Sequence, residues 1–102
     1  MGDQFVGYRG DRDLHDGVVV GVQRTGDVAR VVVKTYDGRR LEVEFSGVES
    51  LEQRDAEGMR LYSLSEMTAA SPLRRFVFTN WDDEADAQLE VLARDFACRE
   101  LH

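Results

Sequence analysis

The sequence predicts a small, mainly antiparallel β domain, and three observations carry that expectation. The stretch 28–45, VARVVVKTYDGRRLEVEF, sets two β-rich runs around Asp37-Gly38, a strong short-range hairpin signal. Val18-Val19-Val20-Gly21-Val22 is almost wholly β-branched, and Phe76-Val77-Phe78-Thr79 combines aromatic and β-branched residues. The expected architecture is a three-stranded meander over 17–45, extended by a strand at 75–79 and a C-terminal strand at 88–96. The alternative is an α+β fold with a C-terminal helix over 83–100.

The meander can be built residue by residue. Leu41, Val43 and Phe45 alternate with Arg40, Glu42 and Glu44, the period-two pattern of a half-buried strand. A two-residue Asp37-Gly38 loop would set Val33 against Glu42. A three-residue loop, Tyr36-Asp37-Gly38, pairs Val33 with Leu41, Val31 with Val43 and Ala29 with Phe45, and puts Gly38 where φ must be positive. A loop of Asp37-Gly38-Arg39 preserves the same apolar face and remains an alternative. For the first hairpin, a Thr25-Gly26 turn with Arg24 opposite Asp27 pairs Val22 with Ala29, Val20 with Val31 and Val18 with Val33. The shared face is then Val18, Val20, Val22, Ala29, Val31, Val33, Leu41, Val43 and Phe45, with Val19 and Val32 on the other side.

The flanking segments are less regular. Residues 1–13 are expected to be a loose terminal segment or, through Phe5, Val6 and Tyr8, a short edge strand. Glu52–Gly58 reads as a loop and Met59–Leu64 as a short strand or helical turn. Ser71-Pro72 reads as a break. In 82–101, Ala85, Leu89, Leu92 and Phe96 form a helical stripe, whereas Leu89, Val91 and Ala93 alternate as in a strand.

A chain of 102 residues accommodates one domain, 1–102. Twenty Asp and Glu against thirteen Lys and Arg give a net charge of −7, which disfavours nucleic acid and anionic membranes and suits a basic protein partner. Cys98 is the sole cysteine, so no internal disulfide forms, and a reducing, cytoplasmic setting is expected. The N-terminus has neither the basic region nor the apolar core of a signal peptide, and no apolar run approaches the roughly 20 residues of a membrane helix.

Two clusters attract functional attention. Trp81, the only tryptophan, precedes Asp82, Asp83, Glu84 and Asp86. Together with Tyr62 they form a candidate partner-binding set, with aromatics for affinity and acids for steering. Asp13, His15 and Asp16 form a candidate polar site, a general base with its orienter or a ligand pair for a metal or small-ligand domain. On a strand, however, adjacent His15 and Asp16 would face opposite ways. No second histidine or cysteine stands at ligand spacing, so no metal or cofactor is expected. The acids at 11, 13 and 16 miss calcium-loop spacing, and the twelfth position holds Val22. No Gly-x-Ser-x-Gly or phosphate loop is present, so no catalytic residue is assigned. A homo-oligomer built by pairing sheet edges is a further expectation.

Several short motifs share an order along the chain. They are Leu14-His15-Asp16-Gly17, Leu41-Glu42-Val43-Glu44-Phe45-Ser46-Gly47-Val48, Arg75-Phe76-Val77-Phe78, Leu89-Glu90-Val91 and Ala93-Arg94-Asp95-Phe96. This order resembles small uncharacterised bacterial β-sheet families, some grouped with the immunity proteins of polymorphic toxin systems. The resemblance implies a nearly all-β fold with the final motif in a strand, and a role in binding another protein.

Overall fold

In the computed structural model, residues 4–9, 14–81 and 87–101 are described, and they form nine antiparallel strands without an α-helix. The strands are β1 (Phe5–Tyr8), β2 (Val18–Thr25), β3 (Val28–Lys34), β4 (Arg40–Ser46), β5 (Ser50–Arg54), β6 (Leu61–Met67), β7 (Arg74–Asn80), β8 (Gln88–Ala93) and β9 (Asp95–Leu101). A five-stranded sheet in the order β1-β6-β7-β8-β5 faces a four-stranded sheet in the order β2-β3-β4-β9.

The meander β2-β3-β4 is present, and the β3–β4 hairpin has the three-residue loop expected from its apolar face. Val33 pairs with Leu41, Val31 with Val43 and Ala29 with Phe45. All six side chains are 1% exposed or less. Thr35 and Arg39 close the loop, and Gly38 sits at φ +88°. A hydrogen bond from the Thr35 hydroxyl, against a small opposing effect of burial, and then the Arg39 guanidinium hold Asp37 below the usual carboxylate range. Gly38→Ala should cost about 1–2 kcal/mol, because a Cβ is disfavoured in the left-handed region. A denaturant melt checks this, and the effect is conformational, since the position is open to solvent.

The first hairpin departs from expectation. Its loop is Gly26-Asp27, closed by Thr25 opposite Val28, so Val22 meets Val31 rather than Ala29. Gly26, at φ +61°, occupies the first loop position, where a two-residue turn tolerates glycine best. A bulge at Val20 then shifts the parity, since Val19 pairs with Val33 while Gly21 pairs with Val32. Val19 is therefore fully buried, Val20 is 39% exposed, and Val18 and Val22 are half-buried.

Strand 75–79 exists as part of β7, but it belongs to the opposite sheet and does not extend the meander. The neighbour of β4 is β9, with Phe45 opposite Phe96 and Val43 opposite Cys98. The C-terminal segment is accordingly two strands. β8 pairs with β7 and β5, the chain turns at Arg94, and β9 crosses to the meander. The helix alternative over 83–100 is overturned. Leu89, Val91 and Ala93 are buried on odd positions of β8, whereas Phe96 and Cys98 pack on the core from even positions of β9. At the corner the Arg94 amide donates to the Ser46 carbonyl, 3.1 Å. Gly47 leaves the room, because a Cβ there would meet the Arg94 side chain at 2.9 Å.

Two further segments differ from the sequence reading. Residues 50–54, expected to lie largely in a loop, form edge strand β5, and 61–67 form a full strand. In β6 a bulge at Tyr62 separates Leu61, opposite Asn80, from Ser63, opposite Thr79. Leu61, Leu64 and Glu66 consequently all lie on the buried side at irregular spacing. Residues 5–8 adopt the edge-strand alternative and pair with β6.

The two sheets enclose one core in which Phe45 packs against Phe76 and Phe78, with ring centroids 5.0 and 5.9 Å apart. At one rim, Arg74 lies over the rings of Phe76 and Phe96 and ion-pairs with Glu66 at 2.8 Å and with Asp95 at 3.1 Å. Arg9 Nε reaches the same Glu66 oxygen, Oε1, also at 2.8 Å.

Candidate functional site

The candidate site is assembled by a turn clamped to the start of β6. Leu14, 1% exposed, anchors the turn in the core. The Gly17 amide donates to the Leu14 carbonyl, 3.0 Å, and two backbone bonds tie the turn to Leu61. In these the Asp16 amide donates to the Leu61 carbonyl, 2.9 Å, and the Leu61 amide donates to the Gly17 carbonyl, 2.7 Å. Gly17 allows this approach, since a Cβ would fall 2.5 Å from a Val33 methyl. Asp16 sits at φ +66°, a conformation aspartate tolerates better than most residues. On the other flank the Trp81 amide donates to the Arg60 carbonyl, 3.0 Å, which places the indole beside the turn.

Three rings from three chain segments meet here. Tyr62 and Trp81 are 5.1 Å apart, His15 and Tyr62 5.3 Å, and His15 and Trp81 5.4 Å, all edge to face. This geometry brings a positive ring edge to a negative ring face. Trp81 Nε1 donates to Asp16 Oδ1 at 2.7 Å, and His15 Nδ1 lies 3.4 Å from Asp16 Oδ2. One carboxylate thus fixes the indole and neighbours the imidazole. The rings remain accessible, with Trp81 46% and Tyr62 40% exposed. Asp16, Arg60, Asn80 and Trp81 line an open groove beside them.

Among the described residues, the two clusters read separately from the sequence meet. His15, Asp16, Tyr62 and Trp81 come together. The premise that His15 and Asp16 diverge fails because they stand in a turn, not a strand. Asp13, Asp82, Asp83, Glu84 and Asp86 lie outside the described residues. Arg60 and Asn80 were not anticipated. Asn80 could have been suspected as the neighbour of Trp81, but Arg60 is placed by long-range contacts, its bridge to Val18 and the bond from the Trp81 amide to its carbonyl.

Among the described residues, the patch offers ring faces and edges, one carboxylate, one guanidinium and one amide on an open surface. Among the described residues no group of three or more His, Cys, Asp or Glu side chains could hold a metal ion. Cys98 lies on β9 of the four-stranded sheet, opposite Val43 and packed against the core. Ser63 shares a hydrogen bond with Ser65, Oγ to Oγ 3.3 Å. No described helix is long and apolar enough to cross a membrane. No family model, curated protein or solved structure matches the chain.

Proposed function

We propose that this chain is a cytoplasmic binding protein for a basic protein partner, of the toxin-neutralising kind, and that it engages the partner through His15, Tyr62 and Trp81. The observation that carries this reading is the convergence of three partly exposed rings around Asp16. Tryptophan and tyrosine held rigidly at a surface are the side chains that most often dominate binding energy. Here a hydrogen bond to Asp16 orients the indole before any partner arrives, which lowers the ordering cost of binding. The net charge of −7 supports a cationic partner, and electrostatics would act chiefly on the association rate. The open form of the groove favours a protein surface over an enclosed small ligand.

Affinity capture from the native host, at low and moderate salt, tests the proposal. The wild-type chain should retain a basic protein, less strongly as salt rises. A Tyr62→Ala/Trp81→Ala double variant should lose it by at least ~10-fold. Equal retention by the double variant, or no retained protein at either salt concentration, would sink the proposal.

A further inference from the structure

Of the three rings in the patch, only an imidazole changes charge between about pH 5 and 8. The turn holds that ring against both others, with centroids 5.3 Å from Tyr62 and 5.4 Å from Trp81. His15 Nδ1 lies 3.4 Å from Asp16 Oδ2, and 48% of the His15 side chain is exposed. A proton therefore reaches it from solvent without the fold opening.

The groups that face His15 come from three elements. Its own turn supplies the Asp16 carboxylate, β6 supplies Tyr62, and Trp81 stands just past the end of β7. Arg60, just before β6, lines the adjoining groove with Asp16, Asn80 and Trp81. Asp13 and the acids of 82–86 lie outside the described residues. Among the described residues, Asp16 balances Arg60 while His15 is neutral. Protonation of His15 then leaves the patch with a net positive charge.

We infer that His15 is a proton switch that releases the basic partner on acidification. This rests on the binding role proposed above. Two effects act in the same direction. The imidazolium pairs with Asp16 and withdraws that carboxylate from a partner's cation. It also sets a like charge on the surface where the partner docks. Attraction between the imidazolium and the rings of Tyr62 and Trp81 acts within the chain, with or without a partner, and so does not offset the repulsion.

Trp81 is the only tryptophan, so its emission reads the patch without any partner. An imidazolium in contact with an indole quenches it by accepting an electron from the excited ring. Wild-type emission should fall in a single step as pH drops from about 8 to 5, and His15→Gln, neutral throughout, should lack that step. His102, the other histidine, is retained in the variant. Thermal melts establish that the variant folds, and His15→Asn decides the matter should glutamine disturb the turn. In the second arm, the affinity of the full chain for the captured partner is measured at both ends of the range. Wild-type affinity should drop at least ~5-fold from about pH 7.5 to 5.5, against no more than about twofold in His15→Gln. Comparing the two drops separates His15 from titration of the partner itself.

Emission that stays flat in wild type, or steps equally in His15→Gln, would overturn the inference. So would equal drops in affinity. A chain that retains no partner even at neutral pH instead sinks the binding role and the release step with it, while the emission arm still shows whether His15 takes up its proton within the patch.

Discussion

Replacing Phe45 with alanine should destabilise the protein by about 3–5 kcal/mol and lower the melting temperature by at least ~12 °C. Phe45 is fully buried and spans the space between the sheets. Its ring meets Phe76 and Phe78 of the five-stranded sheet, and its backbone is paired on both sides, with Ala29 and with Phe96. Those two ladders prevent the strand from moving inward to fill the void, so most of the cavity cost remains. Against a typical stability of about 5–15 kcal/mol, the loss is a large fraction. Calorimetry on the variant measures it. Tyr36→Ala is the control. This ring is 85% exposed at a hairpin tip, and its removal should change stability by no more than about 0.5 kcal/mol.

Glu66→Gln should cost about 1–3 kcal/mol at neutral pH and remove part of the acid sensitivity of the fold. Glu66 points to the core side of β6, and its side chain is 10% exposed. Arg74 approaches through both Nε and Nη2, and Arg9 through Nε. The hydrogen bonds from Arg74 hold the Glu66 carboxyl below its ordinary value of 4.5. Burial opposes this, and Arg9 adds to the lowering. Arg74 in turn is pushed further up, first by its bond to Glu66. A carboxyl whose folded pKa is depressed takes up protons more readily when unfolded. Its contribution is therefore fully present above about pH 4.5 and is lost as pH falls through the lower folded value. In the glutamine variant that portion of the acid limb should vanish, leaving stability flatter below pH 4.5. Urea melts across pH 2–6, a window of about two units either side of the carboxylate range, compare the two proteins. Parallel acid limbs would mean that Glu66 is not the responsible group.

The sequence made the β3–β4 hairpin legible because two strict constraints agreed there. One was a shared apolar face, and the other a glycine able to take a positive φ. The errors arose at breaks of period two. The bulge at Val20 shifted the buried valine from 20 to 19, and the bulge at Tyr62 spaced Leu61 and Leu64 three apart, which left 59–64 open between a short strand and a helical turn. The corner at Arg94 did the same on a larger scale. Buried residues at 89, 91 and 93 followed by partly buried ones at 96 and 98 are two strands of opposite parity, yet Leu89 and Phe96, seven apart, also fall on one helical stripe. A parity change within an apolar run therefore indicates a bulge or a sheet corner in this chain. The pairing of strand 74–80 with β6 and β8 rather than with the meander was not legible, since sheet membership depends on long-range order.

The site divides in the same way. Trp81, Tyr62, His15 and Asp16 could each be suspected from residue type. That they form one patch depends on two backbone bonds between a turn and Leu61 and on one between Trp81 and Arg60. These contacts span more than 20 residues and leave no local pattern.

The most direct test is the affinity of the captured partner for single variants of the patch. Trp81→Ala should weaken binding by roughly 30-fold or more, the scale of a dominant interface side chain at about 2 kcal/mol. Tyr36→Ala, an exposed ring at a hairpin tip outside the patch, should leave the affinity within about twofold. If Trp81→Ala instead binds as tightly as wild type, the His15–Tyr62–Trp81 patch is not the binding surface.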